Sequence, residues 1–393
     1  MRKILLGTTA VVGAALLTAT VAQAQTAPTV RVGGFIQVLG HYLDDDRDKA
    51  NGAGTGAGGG NANARDKFDF RTELEVVVNV AGKAANGLAY GAVIEMQNDN
   101  GRGGATNFDT DEAYIFLSSP TLGTIRFGDE DNAANLIQIR HPSVTNSGAD
   151  GDYDDMSVAG TSLMTGLGDG GDSTKLIYLS PQFAGFDFGI SYGANGGEGD
   201  REELLGRGTS SQRDRTGFTD QVAGAIRYRG TFGNVGVGLS LAGMRANAAE
   251  LTPGGALIAP ANRDITAYSV GASLAAFGIT FGGEYTWGTY SAEAGTAPLA
   301  AGRDDSKTWT LGATYVTGPF QVGAWYGTAT QDNGPGVSDR QQTGYGVGVV
   351  YSLAPGLDTF ANYGSLSEKN GPVLGAGRTR SLSAVIAGVR LAF

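Results

Sequence analysis

Phe68, Phe70, Thr72, Leu74, Val76, Val78 and Val80 alternate with Asp69, Arg71, Glu73, Glu75, Val77 and Asn79. A period-two pattern over more than ten residues is long for a soluble strand, which typically runs about five or six. The pattern recurs down the chain. Phe186, Phe188, Ile190 and Tyr192 alternate with Asp187, Gly189 and Ser191, and Tyr345, Val347, Val349 and Tyr351 with Gly344, Gly346 and Gly348. Sixteen such segments fit, near 30–43, 67–80, 88–98, 109–118, 123–129, 174–180, 186–192, 220–229, 235–244, 265–274, 279–290, 306–316, 320–330, 341–353, 357–367 and 381–393. Their connections alternate in length. Seven are tight, such as Thr317-Gly318-Pro319, and eight are long and polar, such as 44–66, 130–173 and 193–219.

An even number of long strands, joined alternately by short and long connections, fits an all-β fold: a 16-stranded antiparallel transmembrane β-barrel. A β-sandwich gives no reason for that alternation. In hydrocarbon every backbone N–H and C=O must be paired, and a closed barrel leaves no strand edge unpaired. The apolar face then meets lipid, with Tyr42, Tyr192, Tyr285, Trp309 and Tyr351 near segment ends where aromatic girdles belong. The second face meets water, and its many Gly, Ser and Thr residues are expected to keep the lumen open. Inward aromatics are few: Tyr114, Phe116, Trp325 and Phe360.

The two ends of the sequence fit an exported barrel. Arg2 and Lys3 precede an apolar run from Ile4 to Val21, and Ala22-Gln23-Ala24 has the small-x-small form of a cleavage site. Residues 1–24 are expected to be a signal peptide and 25–393 the barrel. The last segment, Ser381 to Phe393, reads as the strand that closes the barrel against the first, with Phe393 as its anchor. With 28 Lys+Arg and 39 Asp+Glu the net charge is −11, or −13 without the two positive charges Arg2 and Lys3, which argues against nucleic acid as a partner. There is no cysteine, so an exported chain of this length must be held by continuous hydrogen bonding rather than disulfides.

Enzymatic readings find little. His41 and His141 are the two histidines, and no Gly-x-Ser-x-Gly elbow accompanies them. The glycine-rich stretch 52–60 has no Lys-Ser/Thr and reads as loop, not phosphate cradle. No cofactor is expected. The dense carboxylates of Asp152 and Asp154 raise the possibility of Ca²⁺, although the spacing of an EF-hand loop is missing.

Three stretches carry a family resemblance. Ala387-Gly388-Val389-Arg390-Leu391-Ala392-Phe393, Asp111-Glu112-Ala113-Tyr114-Ile115-Phe116-Leu117 with Gly123-Thr124-Ile125-Arg126-Phe127-Gly128, and Ile177-Tyr178-Leu179-Ser180-Pro181-Gln182-Phe183-Ala184-Gly185-Phe186 resemble segments of the trimeric Gram-negative general porins, particularly the α-proteobacterial type. The resemblance implies a homotrimer in the outer membrane, in contact with lipid and lipopolysaccharide. It implies that Phe393 carries a signal read by the outer-membrane assembly machinery. It also implies that 130–173 folds into the barrel as a constriction loop. Acids on that loop, here Asp150, Asp152, Asp154 and Asp155, would face basic side chains on the wall. Strand parity offers Arg31, Arg71, Arg126 and Arg390 as those basic residues. The expected function is passive diffusion of small hydrophilic solutes and ions with weak cation selectivity. A substrate-selective channel and a non-conducting surface barrel are the alternatives. A sugar-selective channel would show a stepped ladder of inward aromatics, and an occluded barrel would show bulky inward side chains.

Overall fold

The computed structural model describes residues 26–46, 66–98, 109–144, 147–149, 151–155, 162–196, 217–251, 256–258, 261–290, 299–371 and 377–393. The expected signal peptide lies outside the described residues. Sixteen antiparallel strands close into one barrel. They are β1 (Thr26–Asp45), β2 (Phe68–Lys83), β3 (Ala89–Gln97), β4 (Asp109–Ser119), β5 (Gly123–Asp129), β6 (Thr174–Leu179), β7 (Phe186–Asn195), β8 (Thr219–Phe232), β9 (Val235–Asn247), β10 (Ile265–Ala276), β11 (Ile279–Thr289), β12 (Ser306–Thr317), β13 (Phe320–Gln331), β14 (Arg340–Ala354), β15 (Leu357–Lys369) and β16 (Thr379–Ala392). Each strand pairs with its sequence neighbours, and β1 pairs with β16.

Every segment read from the alternation is a strand, with shifted ends. β1 starts at Thr26 rather than near 30, because its first residues pair with β2 alone, where the ladder is irregular between Thr26 and Thr29. Pro28 lies in that irregular stretch and has no N–H to donate, so no alternation marks it. β8 runs on through the polar Arg229-Gly230-Thr231 to Phe232. The tight connection between β10 and β11 is Phe277-Gly278, both at positive φ (53° and 79°), as a two-residue type I′ hairpin requires.

The closure seam runs from Phe35↔Ala392 to Asp45↔Leu382. At its end Gly34 and Phe393 exchange both backbone hydrogen bonds, at 3.1 and 3.0 Å. Phe393 itself is exposed on the outer face, in line with Leu391, Val389 and Val385. The seam is also tied by a doubly hydrogen-bonded pair inside the barrel, Arg380 Nε to Asp45 Oδ1 at 2.8 Å and Nη2 to Oδ2 at 2.5 Å. Both side chains are fully buried.

Outward positions are the exposed apolar ones, as the alternation requires: Phe186, Phe188, Ile190 and Tyr192 on β7 are all about half exposed, while the intervening Asp187 and Ser191 are buried. Aromatic contacts run along this outer surface, including Tyr268–Trp287 at 5.7 Å, Tyr285–Trp287 at 5.4 Å and Trp309–Tyr326 at 5.5 Å.

One expectation fails. The inward glycines do not keep the lumen clear, because much of the inner wall is covered by chain. A buried apolar cluster inside the barrel joins Leu39, Leu43, Val350, Phe360, Leu366, Leu382, Ala384 and Ile386 on the wall to Val144, Ala149, Tyr153, Leu163 and Met164. The last five belong to residues 130–173, so the barrel holds a core of its own where that segment lies.

Candidate functional site

The segment leaving β5 starts a short helix, α1 (Ala133–Ile137), capped by Asn132, whose Oδ1 accepts from Asn135 N at 2.9 Å. α1 packs inside against β7, β8 and β9. Ala133 N donates to Ser191 Oγ on β7 (3.0 Å), and Ile139 N to Ser240 Oγ on β9 (2.8 Å). The chain then crosses the inner wall strand by strand. His141 Nδ1 lies 3.5 Å from Glu284 Oε1 on β11, and its Nε2 accepts from Ala149 N at 3.2 Å. A second short helix, α2 (Asp152–Asp155), lies against β15 and β16. Tyr153 on α2 stacks on Trp325 of β13, with ring centroids 5.8 Å apart, and donates its hydroxyl to Ala149 O at 2.6 Å.

The return path lies beside the outgoing one. Leu163 N donates to Gln342 Oε1 on β14 (2.6 Å). Leu167 and Gln138 exchange two hydrogen bonds at 2.7 and 2.8 Å, and Arg140 Nη2 also donates to Leu167 O (2.8 Å). The described part of 130–173 is thus a double layer of chain laid flat on half of the wall.

Glycines make that close approach possible. Side-chain carbons built at Gly238 and Gly271 would overlap Ile139, at Gly312 Pro142, at Gly323 Val144, at Gly348 Ser147 and at Gly364 Tyr153. Each of these glycines faces inward on a successive part of the wall from β9 to β15. They form a track that seats the loop, which replaces the reading of them as spacers of an empty lumen.

Among the described residues the loop packs on β1 and on β13 to β16 through the apolar cluster and on β7 to β9 through α1, which leaves the wall of β2 to β5 the least covered. Its inward charges are mixed: Glu73 and Glu75 on β2, Glu95 on β3 and Glu112 on β4 stand among Arg71, Arg126 and Arg390. Gln37 donates to Glu73 at 3.3 Å across the β1–β2 ladder.

The four arginines expected to act together are placed differently. Arg71 is opposite Leu39 and Arg390 opposite Gln37, so these two stand two residues apart across β1. Arg31 pairs with Asn79 beyond the point where β16 ends, six residues from Gln37 along β1, about 20 Å at the usual strand rise, and is exposed at the rim. Arg126 is engaged by Glu130 at 2.5 Å and lies 5.0 Å above the Tyr114 ring. Arg390 lies 3.9 Å over the Phe35 ring and feels the charges of Glu73, Glu75, Asp358 and Asp152.

On the acidic side, Asp152 is buried between loop and wall. Asp154 and Asp155 lie on the backbone of α2, with side chains outside the described residues, as is all of Asp150. The calcium expectation at Asp152 and Asp154 rests on this same pair. Asp152 is in neither of the acid clusters found among the described residues.

Sequence reasoning overlooked a basic cluster on β7 and β8. Arg227 binds Asp187 through two hydrogen bonds (3.1 and 2.7 Å) and Arg229 binds the same carboxylate at 2.7 Å. Parity could have found it, since Asp187 alternates with Phe186 and Phe188 just as Arg71 does with Phe70 and Thr72.

Known structures share this architecture. The fold is similar to that of a porin solved at 1.8 Å resolution (19% identity, TM-score 0.59, 93% of this chain and 100% of that chain). It is similar to an anion-selective porin from Comamonas acidovorans (19%, 0.58, 93% and 100%) and to OmpT of Vibrio cholerae in its trimer form (14%, 0.56, 94% and 100%). No curated protein matches in sequence. The family model described as Gram-negative porin matches residues 7–371, and with its closed barrel and inward-folded loop the chain belongs to the Gram-negative porin family.

Proposed function

We propose that this porin works as a homotrimer and is weakly cation-selective toward small hydrophilic solutes. As a member of its family it is a multi-pass outer-membrane protein and a passive diffusion channel. The selectivity reading rests on the least covered wall. Glu73, Glu75, Glu95 and Glu112 stand there against Arg71 and Arg390, while Arg126 is matched by Glu130. An acidic excess raises the local concentration of cations, and opposed charges across a narrow lumen favour dipolar solutes over apolar ones. The trimer form of the Vibrio cholerae relative supports the oligomer. The Comamonas acidovorans relative is anion-selective, so the fold leaves the sign of selectivity to the side chains.

Reversal potentials across a potassium chloride gradient test this reading. The wild type should prefer cations, and the preference should fade at molar salt, where the Debye length falls to about 3 Å. Replacing Glu73, Glu75 and Glu95 together by Gln should move the pore toward anions. The Asp152→Asn change should have the smaller effect, because that carboxylate is buried. An anion-selective wild type would overturn the proposal.

The proposal extends to assembly. Lipid and lipopolysaccharide surround the outer face, and Phe393 supplies the end recognised by the assembly machinery. Phe393→Asp places a charge in line with Leu391 and Val389 on the lipid side, beside the seam bond to Gly34. Heat-stable trimers in the outer-membrane fraction should be lost. Normal trimer yield would remove Phe393 from this role.

A further inference from the structure

We propose that Arg227 and Arg229, held by Asp187, form a binding station for small oxyanions such as phosphate at the turn-side mouth of the lumen. The proposal goes beyond the selectivity reading and rests only on the chain being an open channel. Asp187 is the second residue of β7, and Arg227 and Arg229 lie near the end of β8. The three therefore sit at the barrel end that carries the short turns, the periplasmic end in barrels of this kind.

Their charges do not cancel. Asp187 is the shared acceptor, bonded twice by Arg227 (3.1 and 2.7 Å) and once by Arg229 (2.7 Å). One carboxylate against two guanidinium groups leaves a positive charge over. The surrounding elements supply no acid to neutralise it. β6, β9, β10 and α1 contain no Asp or Glu, and neither do the turns 180–185 and 233–234. A pair made only to tie β7 to β8 needs one arginine, and Arg227 alone forms the two-bonded fork. Arg229 is surplus to that role.

A guanidinium group carries five N–H donors in a planar fork that matches the oxygens of phosphate or carboxylate. Arg227 uses two nitrogens on Asp187 and Arg229 one, so both keep donors to spare. Arg229 points inward by parity and stands opposite Gly238 on β9, which has no side chain to cover it. Its side chain is 52% exposed, against 10% for that of Asp187. The spare donors thus meet the lumen while the counter-charge is covered.

The station is also fixed in place. Arg229 N donates to Gly185 O at 2.8 Å, and Gln182 Nε2 to Arg229 O at 3.2 Å, which ties the strand to the turn. On the loop side, Ile139 packs on Gly238 and Ile137 on Gly189, where added side-chain carbons would stand 2.8 and 2.7 Å from them. Such an apolar shoulder weakens the screening of charges beside it. A weak, fixed cationic site suits a channel, in which binding has to favour entry and still permit release.

The test is titration of single channels in planar bilayers with inorganic phosphate at constant potassium chloride. The wild type should show a saturable fall in current, with the half-effect at lower concentration when phosphate is added on the turn side. Arg229→Gln, which keeps the Arg227–Asp187 pair and hence the fold, should raise the half-effect concentration severalfold. Arg227→Gln with Arg229→Gln should raise it at least tenfold and remove the sidedness. Asp187→Asn should lower it by removing the competing carboxylate. Conductance and reversal potential in potassium chloride alone report separately on the open channel and its selectivity. With that conductance normal, absence of a saturable phosphate effect overturns the proposal. An unchanged half-effect concentration in both arginine variants also overturns it, by placing the phosphate elsewhere in the lumen.

Discussion

Replacing Gly364 by valine is expected to push the inward-folded loop off the wall and raise single-channel conductance. A side-chain carbon at this inward position of β15 would sit 2.6 Å from the Tyr153 ring, closer than such carbons approach one another. β15 is continuously paired on both sides and does not yield, so Tyr153 must leave Trp325. Unseating a large buried aromatic costs about 3 kcal/mol or more, which lowers the ratio of docked to undocked loop roughly a hundredfold. The barrel should survive, since Gly364 faces away from lipid and valine favours strands. Planar-bilayer recordings would show larger, noisier openings from trimers of normal heat stability. Unchanged conductance would mean that Tyr153 does not hold the loop in place.

The second large effect concerns stability. Arg380→Met leaves Asp45 buried without its doubly bonded partner at the closure seam, and should cost about 3–5 kcal/mol. Asp45→Asn should cost a comparable amount. The double replacement Asp45→Leu with Arg380→Met should recover much of the loss, because it removes both buried charges and puts apolar side chains next to Leu43 and Leu382. Urea unfolding followed by the gel shift between folded and unfolded barrel measures all three. A double variant no better than the singles would mean that the pair contributes more than mutual neutralisation, for example by fixing the seam register.

These two sites show where reading the sequence stops. Glycine at 364 and arginine at 380 are both inward by parity, and alternation supplies that much. It does not supply the partner, which for Arg380 is 335 positions away in sequence and for Gly364 is in a loop laid along the inner wall. One clue was present and unused. Leu382, Ala384 and Ile386 make β16 apolar on its inner face as well as its outer one. In a barrel lined by water that is anomalous, and it marks the ground on which the loop packs.

By itself the chain determined the number of strands, their order and which side of each faces lipid. Those follow from a period-two pattern and from the requirement that every backbone polar group in hydrocarbon be paired, and both are local or topological constraints. Tertiary structure alone decided which inward charges oppose one another. The loop's course is fixed by contacts between residues distant in sequence. It buries Asp152, leaves Glu73, Glu75 and Glu95 on the least covered wall and gives Arg126 to Glu130. Parity places a charge inside the barrel; only the closed ring and the seated loop decide whether that charge meets solute, a partner or a buried core.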